Sequence, residues 1–207
     1  MQSNHAKYAT ILANTSLKEV RQANSGSQWF TTLRELQDSR KYRNIFTKDK
    51  YNSSIIAIRT EPPVAIGQRA FLLRSPAGNI LWDCITYMDD ETVSRIVALG
   101  GIDAIVISHP HFFSTALHWA EAFGCKVYIS AEDAEWLTRQ GDAHIPLSPD
   151  AVFAIWKAIS VLDFDDAHSA FLGRDARGDA KRRLLESAQI FIASMGHIDH
   201  PIRYEEI

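Results

Sequence analysis

An α/β fold, a mixed sheet covered by helices, is what this chain predicts, and three features of the sequence predict it. Short β-branched runs between residues 54 and 83 are separated by turn residues, as in a meander. Strand-like and helix-like stretches then alternate from Asp90 to Arg139, the pattern of parallel strands joined by helical crossovers. After Gly141 the periodicity is helical, and no strand is expected beyond Ser130.

Residues 1–52 are polar and basic, with Lys41, Arg43, Lys48 and Lys50 close together, and read as an extension lying on the domain with one short helix around Thr32 to Ser39. Ile55, Ile56 and Ile58 form a first strand stopped by Glu61-Pro62-Pro63, and Ala70 to Leu73 form a second. Pro76-Ala77-Gly78-Asn79 is a turn by composition, and Ile80-Leu81-Trp82 a third strand that ends at Asp83. The acids Asp89, Asp90 and Glu91 suit a helix N-terminus, predicting a helix from Asp90 to Leu99 that Gly100-Gly101 stops.

A strand from Ala104 to Ile107 leads into His109-Pro110-His111, and a helix is expected over Phe113 to Phe123, closed by Gly124. Lys126 to Ser130 reads as a strand and Ala131 to Arg139 as a helix. Ser148-Pro149 is a good helix start, followed by Val152, Ile155, Trp156 and Ile159 at helical spacing. The last helix is placed from about Asp179 to Met195, with Leu184, Ala188, Phe191, Ile192 and Met195 as its apolar stripe. The divisions that follow are 1–52, 53–142 and 143–207, the last a helical segment of the same domain.

Composition narrows the function classes. With 207 residues, 46% hydrophobic and 23% charged, the chain can bury a core of its own. A net charge of −3 and a pI near 6.2 argue against a nucleic-acid footprint or a polybasic membrane anchor, and favour a small-molecule partner. Cys84 and Cys125 are the only cysteines, too few for a disulfide framework or a cysteine zinc knuckle, so a cytoplasmic location is expected. Neither a signal-peptide core nor a run of membrane-spanning length is expected.

Two histidines flanking one residue just past a strand can aim their rings at one ion, and imidazole is a common zinc ligand. The spacing alone leaves that reading and chance loop histidines equally open, because zinc normally takes three or four protein ligands. Phe112, Phe113, Ser114 and Thr115 add none.

Longer stretches are more specific. Glu61 to Ala70, Pro76 to Cys84, Leu99 to His111 and Trp119 to Tyr128 together resemble the metallo-beta-lactamase fold, in a branch found in fungi and some bacteria. Arg21-Gln22 and Gln28 to Leu33 resemble that branch's opening segment. The resemblance implies an αββα sandwich with a zinc site at the sheet edge, where a metal-bound water attacks a small ester, lactone, lactam or thioester. It makes His109 and His111 metal ligands and Asp83 a residue that organises the site from behind them.

Two departures qualify it. The general pattern His-x-His-x-Asp-His here carries Phe113 and Ser114 at its last two positions, which limits the site to one metal ion. Beyond Gln140 the text passes almost directly to His144-Ile145-Pro146-Leu147-Ser148, which with Gly173-Arg174 and Asp179 to Lys181 resembles the family's C-terminal helices. The second group of strands and its ligands is missing between, so an internal deletion near residues 140 to 144 is expected. His144, His197 or His200 would replace the lost ligands only by an accident of folding.

The remaining sheet would then expose an apolar face and an unpaired edge, favouring marginal stability and self-association. Two functions stay open, a zinc-dependent hydrolase or a non-catalytic remnant or binding module of that fold, and a third reading is a fold that another chain completes with the missing sheet. Asp83 reads equally as a strand-end cap, and His118 as a helix-surface or core residue. His197 and His200 read as a frayed tail, Cys84 as a small buried residue, and the basic cluster Arg174, Arg177, Lys181, Arg182 and Arg183 as a solvated face.

Overall fold

A computed structural model describes residues 20–24, 27–137 and 139–207 of the chain. The described residues up to Ile129, with Asp133–Ile145, form one compact unit, and Ser130–Glu132 with Pro146–Ile207 form a second.

The first unit begins with an antiparallel hairpin, β1 (Val20–Asn24) and β2 (Ser27–Thr31), registered Val20 to Thr31. Helix α1 (Leu33–Ser39) starts from a full capping box, in which the Thr32 hydroxyl accepts from Glu35 N and Glu35 accepts from Thr32 N. Its buried Leu33 and Leu36 pack with Val64 and Tyr87. The expected short helix is therefore present.

The main sheet has seven strands in the spatial order β3 (Arg43–Lys48), β4 (Ile55–Glu61), β5 (Arg69–Leu73), β6 (Ile80–Trp82), β7 (Ala104–Val106), β8 (Lys126–Ser130) and β9 (His144–Leu147). β3 to β6 are antiparallel, whereas β6, β7 and β8 run parallel. The meander and the change to parallel pairing at β7 agree with the sequence reading.

Register explains which residues go inside. Ile56, Leu72, Leu81, Ile105 and Val127 stand side by side across five strands, and none is more than 2% exposed. Helices α2 (Asp90–Ala98) and α3 (Ala116–Phe123) are successive crossovers advancing in one direction along the sheet. Right-handed connections place both on the same face, where Ile96, Ala116 and Trp119 are fully buried.

The start of α2 is as expected: the Asp89 side chain accepts from Thr92 N, and Asp90 and Glu91 occupy the first turn. Its end is stitched to the sheet. Asn79 Nδ2 donates to Leu99 O and Gly101 O, while Asp103 Oδ2 accepts from Asn79 N. Gly100 is required there, since its φ is +110° and a Cβ would lie 2.9 Å from Asn79 Nδ2.

Several expectations need correction. Residues 43–48, placed in an extension, pair with β4 along six residues and fill the sheet's first position. Asn44 anchors that strand, donating to Tyr87 O and Thr92 Oγ1 and accepting from Thr60 Oγ1. Its polar, basic sequence hid it because it is an edge strand, half solvated on both sides.

β9 was missed outright. Val127 N donates to Ala143 O and Ala131 N to Leu147 O, so the strand runs parallel to β8. Four residues containing Pro146 give no alternation to read, and only at an edge is the lost N–H harmless. The helix expected over 131–139 is a short 3₁₀ turn, Glu132–Trp136, whose residues include three acids and no buried side chain.

The second unit is built on α4 (Pro149–Ser160) and α5 (Ala180–Ser194). Its core is Trp156, Leu185, Ile192 and Ile202. The inward stripe of α5 is thus Ala180, Leu185 and Ile192, with Leu184 and Met195 each 40% exposed. Of the expected stripe, Ile192 lies in this core and Ala188 and Phe191 pack against it, whereas the places expected for Leu184 and Met195 are taken by Ala180 and Leu185.

The tail is pinned rather than frayed. Ile202 is fully buried, Gln189 Nε2 donates to Ile202 O and Glu205 O, and Glu205 accepts from Trp156 Nε1 and Lys157 Nζ. Arg177 is paired with Asp166 and Asp175, and Arg182 with Asp179 and Glu186, which makes much of the basic cluster a lattice of surface ion pairs.

Replacing Ile202 by Ala is expected to destabilise the helical unit by roughly 2–5 kcal/mol, the usual cost of a large-to-small change in a closed core. Hydrogen exchange measured segment by segment should show α4 and α5 opening faster while β4 to β8 keep their protection.

Candidate metal centre

Both histidines stand where parallel strands end, the usual place for a site in a sheet of this kind. β7 ends at Val106, Ile107 N still donates to Tyr128 O, and the chain then leaves the sheet through Ser108. His109 caps a 3₁₀ turn, Pro110–Phe112, with Pro110 at its first position. Phe112, Phe113 and Thr115 are buried beyond it and lead into α3.

Asp83, at the end of β6, fixes the root of this loop. Its Oδ1 accepts from Ser108 N at 2.8 Å, its Oδ2 from Ser108 Oγ at 3.0 Å, and its own N–H donates to Val106 O at 2.7 Å. Reaching all three requires a left-handed backbone, φ 62°, unusual for a residue with a side chain. Asp83 is only 2% exposed, and burial outweighs the two Ser108 hydrogen bonds, raising its pKa from 3.8 to about 6.

The segment after Asp83 is pinned by three buried side chains that sequence reading did not single out. Gln68 Nε2 donates to Cys84 O, and both Thr115 Oγ1 and Trp119 Nε1 donate to Ile85 O. A tryptophan N–H inside a core needs an acceptor, which is the one hint the sequence offered. Cys84 is 1% exposed and its thiol pKa is pushed well up by burial and by neighbouring Asp83, so it behaves as the small buried residue expected.

The His109 and His111 rings are stacked, 4.6 Å between centroids and 7° from parallel, with their Nδ1 atoms 2.8 Å apart. His109 Nδ1 also accepts from His111 N at 3.2 Å. As acceptor of that N–H, His109 Nδ1 is the unprotonated nitrogen, so the ring–ring bond runs from His111 Nδ1–H to His109 Nδ1.

Such a pair does not fit tetrahedral zinc as it stands. Two nitrogens about 2.05 Å from one ion at a tetrahedral angle lie about 3.3 Å apart, whereas 2.8 Å is a hydrogen-bond distance. The donor set is also short. Among the described residues no group of three or more His, Cys, Asp or Glu side chains is arranged to hold a metal ion.

Among the described residues no other histidine completes it. His144 opens β9 beside Val127, three residues short of the strand's far end, and burial lowers its pKa. In the second unit, His197 Nε2 lies 3.8 Å from Glu132 Oε1. His200 Nδ1 accepts from Ile202 N to cap the turn Pro201–Tyr204, and its ring stands edge-on to Phe153. His118 Nε2 is 3.2 Å from Arg139 on α3's outer side. No helix among the described residues is long and apolar enough to cross a membrane.

The family model for the metallo-beta-lactamase superfamily matches residues 65–183. The uncharacterized protein YmaE of Bacillus subtilis (strain 168) is 46% identical over 114 residues, which are 55% of this chain and 40% of YmaE. The aligned stretch therefore spans well under two thirds of that relative. Among solved structures, a B3 metallo-beta-lactamase with an active-site glutamic acid is 12% identical with a TM-score of 0.44, over 87% of this chain and 97% of the other. Metallo-beta-lactamase SMB-1, bound to 2-mercaptoethanesulfonate, is 19% identical with a TM-score of 0.31, over 46% of this chain and 36% of the other.

Because the folded state holds Asp83 protonated up to about pH 6 while the unfolded chain ionises near 3.8, the folded state binds the extra proton between those values. Asp83 thus contributes stability below about pH 4 that is lost as pH rises through 6, a change of about 3 kcal/mol for a shift of about two units. Asp83→Asn, which keeps an acceptor for Ser108 N, should remove that part of the slope in urea denaturation run from pH 4 to 7.

Proposed function

This chain belongs to the metallo-beta-lactamase superfamily, and from that membership we propose that it is a non-catalytic relative of the family's hydrolases, keeping the first histidine loop and its aspartate anchor without a ligand set able to hold zinc for turnover. The observation that carries this reading is the geometry of the pair: the two imidazoles are hydrogen-bonded to each other with Nδ1 atoms 2.8 Å apart, closer than two ligands of one tetrahedral zinc stand. A mononuclear zinc hydrolase needs at least one more protein ligand and an open position for water.

The shortage has a source in the sequence. Between the 3₁₀ turn Glu132–Trp136 and α4 the described chain has only the four-residue β9, and the helical unit contains two isolated bridge residues, Ala167 and Ala176, but no named strand beyond Leu147. We take this as support for an internal deletion near residues 140 to 144 that removed the second group of strands.

One observation favours the hydrolase reading. The Asp83 to Ser108 anchor is intact, and a carboxylate buried at that cost is hard to explain as decoration. In a chain carrying the missing strands, His109 and His111 would be two ligands of one zinc, and the substrate a small ester, lactone, lactam or thioester. A cytoplasmic location and a small-molecule partner without nucleic acid or membrane belong to the same proposal.

Titration with zinc followed by calorimetry should give at most weak binding, and ester or lactone substrates should not be turned over above the rate with zinc alone. Tight stoichiometric zinc that disappears in His109→Ala/His111→Ala together with turnover would overturn the non-catalytic reading. Sequencing the message across the codons for Gln140 to His144 should find the junction as it stands; an additional in-frame segment there would restore the hydrolase.

A further inference from the structure

The C-terminal tail closes the helical unit through a histidine whose contacts suit only the neutral ring. His200 caps the turn Pro201–Tyr204, and its Nδ1 accepts from Ile202 N at 3.3 Å. Nδ1 is therefore the bare nitrogen, and the ring hydrogen sits on Nε2. Nε2 lies 3.5 Å from Asp150 Oδ1 on α4 without a hydrogen bond between them. A further proton has one place to go, Nδ1, where it would point at the Ile202 N–H. Two donors then face each other, and the cap is lost.

The surroundings favour the neutral form. The His200 side chain is 9% exposed, and its ring stands edge-on to Phe153 with 5.7 Å between centroids. Asp150 supplies the opposing pull, but its own side chain is 92% exposed, so water and salt screen it. The other charges nearby are engaged elsewhere. His197 Nε2 is turned to Glu132 at 3.8 Å, Arg203 donates to Ile198 O, and Lys157 pairs with Glu205. Asp199 is exposed to solvent, and α5 meets the turn with the uncharged Gln189, which donates to Ile202 O.

The cap holds more than one turn in place. Ile202 is fully buried in the core that it forms with Trp156, Leu185 and Ile192, and Glu205 just beyond accepts from Trp156 Nε1. That indole hydrogen bond holds the Glu205 carboxyl below its ordinary range, so Glu205 keeps its charge in mild acid and does not release the tail by itself.

We propose that His200 is a pH-operated latch: the neutral ring holds the C-terminal turn on α4 and α5, and a proton on Nδ1 frees that turn and uncovers the core around Trp156. Because the folded state favours the neutral ring, the latch contributes its full stability above the range in which histidines titrate, about pH 8 to 5, and loses it as pH falls through that range.

Hydrogen exchange of the full chain at about pH 7.5 and about pH 5.5, corrected for intrinsic rates, reads the release. The amides of Ile202, Arg203 and Glu205 should lose about tenfold or more of their protection at the lower pH, as a change of about one unit in proton affinity requires, while β4 to β8 keep theirs. His200→Asn supplies a capping acceptor that does not titrate in this range, and should hold the protection at both pH values. Asp150→Asn removes the opposing charge and should leave the release in place or enlarge it. Wild-type protection that is unchanged or greater in acid overturns the latch. So does a release that persists in His200→Asn, or one that Asp150→Asn abolishes. Should His200→Asn fail to fold, the ring nitrogens of the wild-type chain decide by NMR. Nδ1 should carry no hydrogen at about pH 7.5 and gain one together with the loss of Ile202 protection; a hydrogen on Nδ1 already at the higher pH overturns the assignment.

Discussion

The carboxylate of Asp83 is the constraint on which the loop end of the sheet depends. It joins the end of β6 to the residue that precedes His109, across the parallel pair β6 and β7, and it does so from a left-handed backbone in a water-poor place. The hydrogen bonds from Ser108 do not fully offset the loss of hydration, which is why the group stays protonated to about pH 6. Gln68, Thr115 and Trp119 hold the backbone that follows, so the loop's direction is set by buried polar bonds to main-chain atoms rather than by the histidines themselves. An anchor of this kind keeps its geometry whether or not the rings beyond it have a metal to hold.

Much of the fold was legible because the informative stretches are those where burial and periodicity agree. Ile56, Ile58, Leu72 and Leu81 alternate as a meander requires, and Asp89 with its acid neighbours announces α2. What escaped reading lies where burial is partial. β3 is polar because both its sides see water, β9 is four residues with a proline, and on α5 the apolar Leu184 and Met195 read as inward beside Ala188, Phe191 and Ile192 although they are part exposed. The tail looked loose because its anchors, Gln189 and Glu205, act on backbone and indole atoms about fifteen to fifty residues away, which no local pattern reveals.

The candidate site was legible to a lesser degree. Spacing and resemblance pointed to His109, His111 and Asp83, and the structure brings Asp83 to the histidine loop through Ser108, a residue that no sequence argument had marked. The ring-to-ring bond between the histidines could not be read from His-x-His, since the same spacing serves two imidazoles that share an ion and two that share a proton. Which of these a chain adopts is decided by the other ligands in reach, a property of the tertiary structure.

Pro146 in β9 has a consequence for assembly. The sheet's last strand lacks one N–H and is only four residues long, while its first, β3, carries the exposed charges Arg43 and Lys48. Neither margin can template another strand, so growth sideways into a ribbon is blocked at both ends.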